Sequence, residues 1–336
     1  MFGSVVLMPT SWLGSAYAYK LVLVDKDDVP QWSVDNIEST QDLINAVYTN
    51  FANTTDISKG DALVGVKQPL TGAVARTQHS KNADTLNARD FGVVGDYNGS
   101  TGTDDTVALQ AAVDALTAGT TLIIEGWSKI TASITITSKS RIRITGGGKI
   151  SLVGAGTLAY IFQLVGTCDN IEIDHLTLRG DNNPDYSQCA IGCNSGQIIS
   201  NTKFHHNDIR EINVAISHNA DSSSAVLGDP GTTNTWWYGW CYANHIENIV
   251  GTVPGSGYGI HLSRAAEIKI YDNVLVNCSR HSIYNGKGYG VNNIISNNTI
   301  RHHRKDVADG TGPRCAMDLG RSSSITVIGN KFYECY

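Results

Sequence analysis

One unit recurs through the second half of this chain, and it restricts the possible folds more than any other feature. An apolar residue is followed, after a variable interval, by Asn-x-[Ile/Leu/Phe]-x-x and then a further apolar residue or His. The copies are Ile191 with Asn207, Ile209 and Ile212; Ile216 with Asn244, Ile246 and Ile249; and Ile260 with Asn273, Leu275 and Cys278. They continue with Ile283, Asn298, Ile300 and His303, and end with Met317, Asn330, Phe332 and Cys335. NIEIDHLTLRG, residues 170–180, reads as a looser early copy. No such unit can bury its apolar face alone, so the copies must stack into a continuous core. The shortest interval is too long for a hexapeptide helix and lacks the leucines of a leucine-rich repeat. The unit therefore predicts a three-faced parallel β-helix. Its recurrent Ile residues point inward, and its recurrent Asn residues sit at a turn where stacked amides bond to one another and to the bend's backbone.

Composition agrees. Hydrophobic residues make up 41% and charged residues 17%, with 34 Gly and 7 Pro. That mix suits many short strands joined by turns better than a helix bundle. A formal charge of −6 with no long basic run argues against a nucleic-acid partner. The seven cysteines, Cys168, Cys189, Cys193, Cys241, Cys278, Cys315 and Cys335, form no CxxC. Cys189 and Cys193 have no second close pair to complete a zinc site, so buried reduced thiols are expected, as in a reducing cytoplasm. His205–His206 and His302–His303 read as surface or turn residues. No metal and no cofactor is expected. The apolar start, MFGSVVLMPTSWLG, lacks a basic n-region and a membrane-length span, so neither a signal peptide nor a membrane anchor is expected.

Four segments follow. Residues 1–57 carry short β runs, Tyr19–Val24 and Gln31–Val34, around a turn at Asp25–Asp28. A helix is expected over Asn36–Ala52, with Ile37, Leu43, Ile44, Val47 and Tyr48 as its apolar residues. Residues 58–87 read as a linker. Residues 88–126 hold a Gly-rich turn and a helix capped by Thr103 or Asp104, with Ala108, Ala111, Ala112, Ala115 and Leu116 as its apolar face and Gly119 as its stop. Residues 127–336 are the solenoid.

At Phe91–Asp114 the sequence, within DFGVVGDYNGSTGTDDTVALQAAVDAL, resembles the opening motif of pectate-lyase-like β-helix proteins, bacteriophage tailspikes among them. YKLVLVDKDDVPQWSVDNI resembles the end of a virion-anchoring module of phage tail proteins. The resemblance implies an all-β, right-handed parallel β-helix with a helix plugging its open first coil, where an exposed β edge must be covered. It also implies a homotrimer in the virion tail, joined through the N-terminal module to a phage tail or baseplate protein. The expected target is bacterial surface polysaccharide, capsule or O-antigen, cut by glycoside hydrolysis. The alternatives are a polysaccharide lyase and a non-catalytic binding or structural spike. The chain is expected to be a fragment at both ends, beginning inside the anchoring module and stopping within a coil.

Alignment of the coils on their inward residue exposes a column one position later: Gly192, Ser217, His261, Tyr284 and Asp318. Small residues precede it, Ala190, Ala215, Gly259, Ser282 and Ala316, and are expected to floor a groove. Coils stack about 4.8 Å apart, which would gather His261, Tyr284 and Asp318. Arg264 and Arg321, three positions further on, could contact acidic sugars. For hydrolysis Asp318 would act with a second carboxylate. For elimination His261 or Tyr284 would take the proton while an arginine neutralises the uronate. The plain alternative is an ordinary solvated strand face. In the long insertion 219–240, Trp236, Trp237, Tyr238 and Trp240 could stack on sugar rings, or serve as a trimer contact or core plug. In the insertion 304–316, Asp306 and Asp309 could be a hydrolytic pair or turn formers. Asp96, Asp104 and Asp105 read as turn and cap residues.

Overall fold

The computed structural model describes residues 19–25, 27–37, 40–156, 158–218, 235–252, 255–287, 290–302, 315–320 and 322–335. The chain divides into two compact units, Met1–Ala83 and Asp84–Tyr336.

In the first unit, strands Tyr19–Val24 and Pro30–Ile37 pair antiparallel. The Asp25 carboxylate accepts from the N–H groups of Asp27 and Val29, which fixes the turn between them. The helix runs Thr40–Phe51, shorter at its start than expected, because Ile37 is spent pairing with Tyr19. Its Leu43, Val47 and Tyr48 are exposed. The stretch expected as a linker carries short elements: a 3-10 turn at Gly60–Leu63, a two-stranded ladder of Gly65–Val66 with Arg76–Thr77, and a helix at Gln78–Asn82 capped by the Thr77 hydroxyl.

The second unit is a right-handed parallel β-helix of three sheets. Each coil passes from the second sheet to the third, turns, enters the first sheet and returns. The first sheet runs from Trp127–Ile130 to Lys331–Tyr333, the second from Ile134–Thr137 to Cys315–Asp318, and the third from Thr85–Asn87 to Ser322–Ile328. The register follows the repeat: Ile191, Ile216, Ile260, Ile283 and Met317 pair in succession. The four isoleucines are fully buried, each worth roughly 1.5–3 kcal/mol of apolar burial.

The Asn column sits at the turn between the third and first sheets. Asn207, Asn244, Asn273 and Asn298 each donate a side-chain N–H to the side-chain oxygen of the next, ending on Asn330, at 2.9–3.2 Å. Each also donates to a backbone carbonyl, Ile173, Phe204, Cys241 and Ile270 respectively. The residue before each Asn is left-handed: His206, Ala243, Asp272, Asn297 and Gly329. The strain of that conformation at non-glycine positions is offset by the fully bonded Asn that follows.

The opening helix is Thr106–Asp114. Leu109, Ala112, Val113 and Leu116 are buried, whereas Ala111 and Ala115 face outward, so the inner face is rotated from the one expected. The helix covers the edge of the first strand of the second sheet. The Gln110 amide accepts from Thr135 N–H at 2.7 Å and donates to Thr135 C=O at 3.0 Å, as a neighbouring strand would. Asp105 is buried and accepts from Val94 and Gly95 N–H, while Asp104 accepts from Thr106 and Thr131. Asp96 accepts from Thr103 N–H. The three aspartates are turn and tether residues.

All seven cysteines are thiols. Burial pushes the Cys278 thiol up to about 12, in keeping with an inert core filler.

Candidate functional site

The outer face of the second sheet carries the predicted column. Gly192, Ser217, His261, Tyr284 and Asp318 pair in unbroken register. The small residues before the inward isoleucine do not floor a groove. Ala190 and Ala215 lie in the main core beside Ile191 and Ile216. A Cβ on Gly259 would fall 2.5 Å from the Ser282 carbonyl and 2.8 Å from Leu275, so close stacking of coils keeps this position small. Two consecutive inward residues break the strict alternation of a strand. The residue two before the isoleucine therefore shares the outer face with the residue one after it.

This shared face brings together side chains the sequence reading did not join. Tyr258, His281 and Cys315 pair in succession along the earlier column. The Tyr258 and Tyr284 rings stack at 4.8 Å and 9°, and His281 stacks on Tyr284 at 5.0 Å and 10°. His261 leans on both tyrosines and bonds through Nδ1 to the Ser217 hydroxyl at 3.0 Å. Tyr258, His261 and His281 are buried. Beyond them, Asp318 is one-third exposed, with Oδ2 4.0 Å from His281 Nε2. Cys315 Sγ is 3.4 Å from His281 Nδ1. Burial, with the Asp318 carboxylate beside it, raises the Cys315 thiol.

Arg264 does not join this group. It occupies a left-handed corner, and its charge, after burial, helps hold the His218 imidazole down at about 4. Asp306, Asp309 and Arg321 lie outside the described residues.

The tryptophan run is not a loop. Thr235–Trp237 and Trp240–Tyr242 are strands of the third sheet, in register with Ile198–Ser200 and Lys203–His205. Trp236 is buried in the core and donates Nε1–H to the Thr202 hydroxyl at 2.8 Å, so it cannot reach a sugar. Trp237 is half-buried, and Tyr238, tilted against it, is 40% exposed. Trp240 lies on the outer face between Lys203 and Lys269 in register.

One column over, the same face carries Asp174, His205, Tyr242 and Tyr271 in register. His205 stacks on Tyr242 at 4.5 Å and Tyr242 on Tyr271 at 4.9 Å, near the coil spacing. Asp174 anchors the ladder. Burial would raise its carboxyl, but hydrogen bonds from Arg143, Thr145 and His175 prevail and hold it well below the usual carboxylate range. The Arg143 pair is bidentate, at 2.7 and 3.0 Å. Burial lowers His205, although Asp174 and Glu172 pull the other way. Among the described residues two groups set three residues of metal-ligating kinds together, Asp174–His175–His205 and His281–Cys315–Asp318. Sequence reasoning placed no aromatic role on Tyr242 or Tyr271. Their positions, each one after a core residue, Cys241 and Ile270, carried the signal.

No family model matches the chain. Over 120 residues, 34% of its length, the chain is 38% identical to the tail spike protein of Shigella phage Sf6, and it spans 19% of that protein. Among solved structures it is similar to a variant tailspike protein of E. coli bacteriophage HK620 in complex with pentasaccharide, at 13% identity and a TM-score of 0.47 over 86% of this chain and 63% of that one. It is also similar to the Dettilon tailspike protein, at 16% identity and a TM-score of 0.45 over 79% of this chain and 53% of that one.

Proposed function

We propose that this chain is the β-helical part of a phage tailspike and that it binds bacterial surface polysaccharide along the outer face of the third sheet. The observation that carries the reading is a patch of half-buried outward rings: Tyr242 stacked on Tyr271 at coil spacing, and Trp240, two residues before Tyr242 on the same strand, with Lys203 and Lys269 on either side of it in register. Flat ring faces suit the C–H faces of sugars, and the flanking ammonium groups suit hydroxyls or acidic substituents. The 38% identity with a tail spike protein supports placing the chain in a virion tail. Trimerisation and attachment to a tail or baseplate protein through the N-terminal unit belong to the same proposal.

Binding requires only what this face holds. Hydrolysis requires two carboxyl groups across the scissile bond, and on the second sheet Asp318 is our candidate for one of them, with Asp306 or Asp309 as its partner. Elimination is less well supported, because His261 is buried against Ser217 and Arg264 stands by His218.

The test is to titrate the folded chain with a panel of capsular and O-antigen polysaccharides by calorimetry, following polymer size by gel filtration in parallel. Saturable binding to one polymer that Trp240→Ala weakens supports the reading. A fall in polymer size without unsaturated products adds hydrolysis, and with them elimination. No binding to any polymer by the folded chain would overturn it.

A further inference from the structure

His281 and Cys315 are 34 residues apart, yet their strands pair directly and place their side chains on one outer face. Asp318 follows Cys315 by one inward pair, Ala316 and Met317, so both face the same way. One ligand atom from each of the three lies within 4.8 Å of the others. Two features hold them ready. The His281 ring packs against both Tyr258 and Tyr284, nearly parallel to each. Asp318 accepts the Gly320 N–H through Oδ1 at 3.1 Å, which leaves Oδ2 turned to His281.

The geometry points to a binding site for one zinc-class divalent cation, held by His281, Cys315 and Asp318, with a coordination position left for water or a ligand oxygen. Imidazole, thiolate and carboxylate together select a borderline-soft ion over calcium or magnesium. Zinc bonds of about 2.0–2.3 Å set ligand-to-ligand edges of roughly 3.3–3.8 Å. Cys315 Sγ lies 3.4 Å from His281 Nδ1, already in that range, whereas Asp318 Oδ2 lies 4.0 Å from the other ring nitrogen, Nε2. A cation takes one ring nitrogen, so the one-third-exposed Asp318 is the ligand that must swing towards Nδ1. The other cluster differs. Asp174 is already neutralised by the Arg143 guanidinium, whose charge repels a cation.

The inference does not rest on polysaccharide binding. A cation here would occupy the Asp318 carboxylate, so the same group could not serve as a general acid while metal is bound. The test therefore reads metal binding and not activity. The whole chain is reduced, stripped with chelator and titrated with Co2+, then with Zn2+. The expected result is one Co2+ per chain, a thiolate-to-cobalt charge-transfer band, and loss of that band on adding one equivalent of Zn2+. Cys315→Ser removes the band. Asp318→Asn keeps it but weakens binding more than about tenfold, since even outer-shell changes cost that much. Cys335→Ser, at the other half-buried thiol, leaves both unchanged. No band from the unaltered, folded chain overturns the site, and so does a band that survives Cys315→Ser. Undiminished affinity in Asp318→Asn removes the third ligand.

Discussion

The side-chain N–H of Asn244 meets the side-chain oxygen of Asn273 at 2.9 Å, and the backbone N–H of Asn244 meets that same oxygen at 3.0 Å. One amide thus satisfies two buried donors of the coil before it. Asn273→Ala strands both, and each unsatisfied donor costs about 1–3 kcal/mol. The expected loss is about 2–4 kcal/mol, read as a lower midpoint in thermal or denaturant unfolding followed by circular dichroism. An unchanged midpoint would show that the ladder is ornamental to stability.

The opening loop hangs on Asp105, which accepts two backbone N–H groups while almost fully buried. Asp105→Ala is expected to destabilise the β-helix by about 2–4 kcal/mol. Hydrogen exchange would locate the effect, with Val94 and Gly95 amides losing protection first.

Neighbouring tryptophans should give opposite phenotypes. Trp236→Ala empties a core position and is expected to cost about 3–5 kcal/mol of stability. Trp240→Ala removes a partly exposed ring and should leave the unfolding midpoint nearly unchanged. It should lower polysaccharide affinity roughly three- to tenfold, the worth of one ring contact. Paired calorimetry and melting curves decide between them.

Acid should weaken the fold from a definite point. Burial pushes His218 from 6.5 down to about 4, so its neutral form is the folded form. A depressed group stabilises fully above its unfolded value and loses that contribution as pH falls through the folded value. Stability should therefore decline between about pH 6.5 and pH 4, by roughly 3 kcal/mol from this residue. His205 is depressed as well and adds in the same direction. Asp174, also depressed, extends the loss below the ordinary carboxylate range. His218→Gln should flatten the melting temperature against pH in the upper window. An unaltered slope would place the titration elsewhere.

Much of the fold was legible because a solenoid writes its geometry as recurrence. The inward isoleucines and the turn asparagines could be aligned although successive asparagines are 37, 29, 25 and 32 residues apart. Insertions change the interval, but each coil must still present an apolar residue and a turn amide to its neighbours. From that alignment the pairing of Ser217, His261, Tyr284 and Asp318 followed residue by residue.

What the sequence did not reveal is which way a side chain points once strict alternation fails. Ala215 and Ile216 both turn inward, so the face shared by Tyr258 and His261, or by Cys315 and Asp318, cannot be found by counting in twos. For the same reason Trp236 and Trp240 read alike in sequence, while one fills the core and the other stands between two lysines. The sequence by itself determined the repeat, the register and the three-sided solenoid, because stacking energy depends on residues that recur. Only the tertiary structure decided the outer surfaces, because a local reversal of one residue's direction depends on the coils above and below it.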